Sequence, residues 1–114
     1  MVVDNLRRCQ VDYIVESKTY TKGTVFNTDE ILDNDIFIIS VGMNSTERAY
    51  TAIHSIRKNI DTNNLVLSFF GSGNINYPAT VVFNIKKTIN TIECTAVNGA
   101  ASTYNYVTII RYRF

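Results

Sequence analysis

Four carboxylates crowd the segment NTDEILDND: Asp29, Glu30, Asp33 and Asp35. Oxygen ligands at that density suit a hard cation such as calcium, and two carboxylates at the right separation can hydrolyse a glycosidic bond. The glycine and distal glutamate of an EF-hand loop are missing, and no Trp exists to floor a sugar groove. A solvated acidic loop is the expected reading, with these four as the metal candidates. His54 with Cys9 or Cys94 would make a base and a thiol nucleophile, but neither cysteine lies near a Gly-rich turn or helix start that would lower its pKa. With one histidine, two cysteines and no CxxC, a Cys/His metal site lacks its ligands. Gly71, Ser72 and Gly73 lack the third glycine of a dinucleotide loop and the lysine of a P-loop, so a turn is expected. Asn44-Ser45-Thr46 is a glycosylation sequon, read as a loop or a helix start. Arg111 and Arg113 are the candidates for touching a ligand. No catalytic arrangement emerges, so the expectation is a protein that is not an enzyme and has no cofactor.

The chain has 114 residues and a net charge of +1, with 46% hydrophobic and 18% charged residues. That size fits a single domain, residues 1–114, with one core. The charge is lean, so Asn, Thr, Ser and Tyr must build much of the surface, as on many extracellular and virion-exposed β proteins. Scattered cations with no net field argue against nucleic acid and anionic membranes as partners. No apolar h-region marks a signal peptide, and no run approaches a membrane span. Cys9 and Cys94 are expected as two buried thiols, with a disulfide as the alternative.

Val, Ile, Thr, Tyr and Phe recur in short runs, the composition of pleated strands. In QVDYIVES, Val11, Tyr13 and Val15 alternate with Asp12, Ile14 and Glu16, predicting a half-buried strand with Val11, Tyr13 and Val15 on its apolar face. Gly23 in KTYTKGTVF predicts a hairpin or bulge, and Thr28 is placed to cap one helical turn. DIFIISV is apolar on both parities, with Phe37 and Ile39 on one and Ile36 and Ile38 on the other, which predicts a central strand or a subunit interface. NSTERAYTAIHSIRKNI fits a helix by its i, i+3, i+4 spacing and a strand by its composition. DTNN reads as a turn, LVLSFF as a strand, Pro78 as the first residue of the next strand, and Asn98-Gly99 as a tight hairpin turn. In YNYVTIIRYRF one parity holds Tyr104, Tyr106, Ile110, Tyr112 and Phe114. These are expected in the core or at a subunit interface, together with Phe37 and Ile39. The sum is an all-β fold, an antiparallel β-sandwich or jelly roll, with room for one short helix.

VDYIVES, residues 11–17, resembles the DYVVES-type strand that opens the C-terminal domain of many bacteriophage tail-fibre proteins, and the closing aromatic strand resembles such trimeric tips. Residues 18–26 depart from that pattern, reading KTYTKGTVF where a Trp- and Gly-rich continuation would stand. The resemblance implies a bacteriophage virion β-domain, whether a tail-fibre tip, a head fibre or a capsid decoration protein. On that reading the chain is a structural, host-attachment protein located in the virion. It would form a homo-oligomer, a trimer foremost, and bind other virion proteins or a glycan or protein on the host surface. The alternative is a carbohydrate-binding, lectin-like module.

Overall fold

The computed structural model describes residues 9–42, 50–55, 61–70, 78–99 and 106–114. These form β1 (Gln10–Thr19), β2 (Val25–Asn27), β3 (Ile36–Gly42), β4 (Tyr50–Ser55), β5 (Thr62–Phe70), β6 (Pro78–Lys86), β7 (Thr91–Gly99) and β8 (Tyr106–Arg113), with no helix among the described residues. Sheet I has the order β1-β8-β3-β4 and sheet II the order β2-β7-β6-β5. Every pairing is antiparallel. The fold is thus an all-β sandwich. Its first strands nest on its last, β1 on β8 and β2 on β7, as in a jelly roll, whereas β3-β4 and β5-β6-β7 pair with sequence neighbours.

The inner faces meet in one core. Sheet I supplies Phe37, Ile39, Val41, Val107 and Ile109, and sheet II supplies Leu67, Val81, Phe83, Ile85, Ile92 and Cys94, all fully buried. Burying side chains of this size contributes about 2 kcal/mol each before entropy is counted. Tyr20, in the turn between β1 and β2, lies over Phe83 with ring centroids 5.7 Å apart and planes tilted by 44°.

Several expectations are met. DIFIISV is the central strand β3 between β8 and β4, and Pro78 begins β6. Others are corrected. Tyr50–Ser55 is strand β4, so the helix reading fails there; residues 43–49 and 56–60 lie outside the described residues. Thr28 caps nothing: its hydroxyl donates to the carbonyl of Asp29. Gly23 (φ +93°) sits in a turn that carries the chain from sheet I to sheet II rather than in a hairpin. Its N–H donates to the carbonyl of Cys94 at 2.7 Å. Of DTNN, Thr62, Asn63 and Asn64 belong to β5, with Asn64 left-handed (φ 56°) at a bulge between Thr62 and Leu65. Asn98 and Gly99 remain in β7, paired with Thr80 and Ala79. The chain then changes sheet, so no tight hairpin joins β7 to β8. A side chain at Gly99 (φ +66°) would run into the Pro78 carbonyl.

The β1 and β8 faces also differ from expectation. A bulge between Tyr13 and Val15 inserts Ile14, so Val15 turns into the core while Val11 and Tyr13, at 50% and 59% exposure, point outward. In β8 the inward parity is Val107, Ile109 and Arg111, all buried; Tyr106, Ile110 and Tyr112 are half-buried, Phe114 is exposed, and Tyr104 lies outside the described residues. The core therefore holds Phe37 and Ile39 but not the aromatic parity of β8.

Adjacent isoleucines test that assignment. Ile109→Ala should cost about 3 kcal/mol in urea unfolding by opening a core cavity, and Ile110→Ala no more than about 1 kcal/mol. Equal losses would mean that the inward parity is misassigned.

Candidate functional site

The chemistry-bearing residues converge on one end of the sandwich. The loop from β2 to β3, residues 28–35, crosses there from sheet II to sheet I. Asn90, left-handed (φ 56°) in the turn between β6 and β7, pins its first half. The Asn90 carbonyl accepts the Thr28 N–H at 3.0 Å, and its side-chain oxygen accepts the Ile31 N–H at 2.8 Å. The second half is a turn closed by Asp35, which donates its N–H to the Leu32 carbonyl at 3.1 Å and accepts the Leu32 N–H at 2.8 Å.

β8 delivers two arginines beneath this loop, because the inward line that begins Val107, Ile109 continues as Arg111, Arg113. Arg113 donates to both Asp35 oxygens, at 2.9 and 2.8 Å, and to the Glu30 carbonyl at 2.6 Å. A two-pronged pair of this kind is the strong form of ion pair. Arg111, with 5% of its side chain exposed, donates to Asp29 with one terminal nitrogen and to Asp12 of β1 with the other. Lys87 holds Asp33 at 2.9 Å. Between loop and strand lies a cleft of about 360 Å³, lined among others by Leu32, Asp35, Lys87, Arg113 and Phe114.

Burial alone would raise the Asp35 carboxyl, but the Arg113 hydrogen bond, the Leu32 N–H and the charges of Arg113 and Arg111 outweigh it and hold it below the usual carboxylate range. Asp29, Asp33 and Asp35 thus each face a cation of their own chain. The side-chain donors of Arg113 and the terminal nitrogens of Arg111, read from the sequence as ligand contacts, hold these carboxylates and the Glu30 carbonyl. No group of three or more His, Cys, Asp or Glu poised for a metal occurs among the described residues. Cys9 and Cys94 are both free thiols. Burial pushes the Cys94 thiol up to about 11, so it is no thiolate at neutral pH. His54 sits on β4 opposite Phe37. Gly71, Ser72, Gly73 and the sequon at 44–46 lie outside the described residues.

A second surface is defined by register. On the outer face of sheet I, Val11, Tyr112 and Ile36 form one cross-strand row and Tyr13, Ile110 and Ile38 the next, with Ile53 of β4 in register beside Ile38. Below them Thr108 pairs with Ser40 and Tyr106 with Gly42. The two apolar rows contain no charged residue. On the outer face of sheet II, a single apolar row, Val66-Val82-Ala96, is bracketed by Ser68-Thr80-Asn98 and by Asn84 paired with Glu93. The double apolarity of DIFIISV was the sequence signal for the first surface; Val11 and Tyr13 gave none, because their alternation pointed inward.

Two carboxylates separate structural from ornamental pairing. Asp35→Ala strands Arg113 and should cost about 2 kcal/mol in chemical denaturation, whereas Asp33→Ala, whose pair with Lys87 is more open to water, should cost under about 1 kcal/mol. The acid side follows from the sign of the shift. The Asp35 carboxyl is lower in the folded than in the unfolded chain, so its contribution is present above about pH 4 and is lost as pH falls through the folded value. The unfolding midpoint should drop over that window, and Asp35→Asn should flatten the drop; an unchanged acid limb in the variant would contradict it. Comparisons with family models, with curated proteins and with solved structures give no match to this chain, leaving its geometry and chemistry to carry the functional reading.

Proposed function

We propose that this protein is a structural or adhesive component of a bacteriophage virion, such as a tail-fibre tip, a head fibre or a capsid decoration. On this reading the sandwich assembles as a symmetric oligomer and binds a host surface or another virion protein. The observation that carries the assembly is the outer face of sheet I, where two adjacent rows across three strands are apolar and uncharged. An apolar patch of that kind on a small domain marks an interaction surface. The titratable groups support binding rather than turnover, since the arginines and their carboxylates hold a loop in place. The virion placement rests on the resemblance of residues 11–17 and on the charge-poor composition. Its mechanism is multivalency, in which linked copies multiply weak contacts.

The genes flanking the coding sequence test the placement: capsid or tail genes on either side support it, and a metabolic operon refutes it. One observation favours a second reading, a carbohydrate-binding module. Tyr13 is 59% exposed on the same open face as Tyr112, and exposed tyrosines stack on sugars. On a glycan array that reading requires signals that Tyr13→Ala abolishes, and silence at high protein concentration removes it.

A further inference from the structure

We infer that Asn98 is a site of self-modification, losing its side-chain amide to attack by the backbone nitrogen of Gly99. This goes beyond the assembly reading above and does not depend on it. Chemistry is the first ground. A bond forms between the Gly99 nitrogen and the side-chain carbonyl carbon of Asn98, closing a cyclic imide, and the carbon's bond to the amide nitrogen breaks. The amide leaves as ammonia, carrying away the proton of the Gly99 N–H. Water then opens the imide at one of its two carbonyls. Opening at the side-chain carbonyl leaves aspartate, and opening at the backbone carbonyl leaves isoaspartate, in which the chain runs through the former side chain. Water is the only co-reactant. Closure requires the backbone on both sides of the bond to swing round, which a following residue without Cβ permits. Asn98 is the only asparagine in the chain that precedes a glycine.

The setting of the pair is the second ground. The fold itself requires glycine at 99, where φ is +66° and a Cβ would run into the Pro78 carbonyl. The close approach of β6 to β7 thus gives Asn98 its reactive neighbour. Both residues are exposed, and no hydrogen bond to a described residue holds the Asn98 side chain. They also end the ladder. Ala79–Gly99 is its last described pair, and Pro78, next along β6, has no N–H with which to extend it. Such ends open at little cost. Asn84 and Asn90 are the contrast: their side-chain oxygens accept the N–H groups of Asn64 at 2.7 Å and Ile31 at 2.8 Å, and stiff, β-branched Ile85 and Thr91 follow them. Either product places a carboxylate in the row Ser68-Thr80-Asn98 and takes the chain from its net charge of +1 to neutrality, where association is favoured. Isoaspartate also lengthens the backbone and moves Gly99 out of register with Ala79.

The experiment incubates the folded chain at mildly alkaline pH and follows each asparagine by peptide mass spectrometry, with fragmentation that separates aspartate from isoaspartate. The expected result is loss of the amide at Asn98 to a mixture of the two products, while Asn84 and Asn90 stay intact. Its rate should lie within about tenfold of that in the urea-unfolded chain, as for a strand end that opens freely. In urea, where the Pro78 contact is gone and folding no longer matters, Gly99→Ala should convert more slowly than the wild type. Protection of Asn98 by more than about tenfold in the folded chain overturns the proposal, because the ladder would then hold the pair closed. Aspartate without isoaspartate would mean direct hydrolysis by water and overturns the attack by Gly99, as does an unchanged rate in unfolded Gly99→Ala. Equal loss at Asn84 or Asn90 overturns the selection of this site.

Discussion

Arg111 is the constraint around which one end of this sandwich is arranged. It belongs to the inward parity of β8, so the same alternation that sends Val107 and Ile109 into the core sends a guanidinium under the end of it, with 4% of the residue exposed. A charge in that position is tolerable only if carboxylates come to meet it. Asp12 arrives from β1 and Asp29 from the loop between β2 and β3, and Arg113 then fixes the far side of that loop through Asp35 and Glu30. The loop has to pass there in any case, since it carries the chain from sheet II to sheet I. The ion pairs convert a necessary crossing into one with a fixed path.

A consequence of this arrangement is that both arginines and Asp12, Asp29 and Asp35 are held by partners within the chain. Cations that would draw in an anionic ligand and carboxylates that would hold calcium or act on a sugar are turned on each other. Of the charges lining the cleft beside them, Asp33, Asp35, Lys87 and Arg113 are matched within the chain, while Glu30 is contacted through its carbonyl. Apolar surface lies elsewhere, in two rows on the outward side of β1, β8 and β3, where the residues alternating with the core are isoleucine, valine and tyrosine.

Much of the architecture could be read in advance because β-branched and aromatic runs between turn signals have few alternatives. The double apolarity of DIFIISV foretold a central strand, and Pro78 foretold a strand start. What was illegible shares one physical cause. A period of two says that two faces differ without saying which is inside. In β8 the parity rich in tyrosine looked like core or subunit interface, and Arg111 looked like a ligand contact. The parity that enters the core is that of Arg111, because Asp12 and Asp29, distant in sequence, neutralise the arginine only once the sandwich is assembled. In β1 one inserted residue, Ile14, reverses the faces midway, and alternation across it averages two opposite answers. Asn98-Gly99 carries the local signature of a hairpin, yet the next strand pairs in the other sheet. The acidic cluster was visible as a cluster, but its partners were scattered over β8 and the turn before β7.

Three of the four described sheet edges are poor templates for an added strand, β4 being the regular one, so the assembly proposed above is better served by a face. An open edge invites pairing with another chain, and short edge strands and bulges discourage it. In sheet I, β1 carries irregularities between Tyr13 and Val15 and between Val15 and Lys18, with Ser17 at φ 42°. In sheet II, β2 is only three residues long, and β5 opens with a bulge around left-handed Asn64. These three edges are interrupted in different ways, each of which spoils a straight ladder for a newcomer. The broad side of sheet I has no such obstruction. Its apolar rows run unbroken from β1 through β8 to β3 and need only another apolar surface of equal extent to leave water.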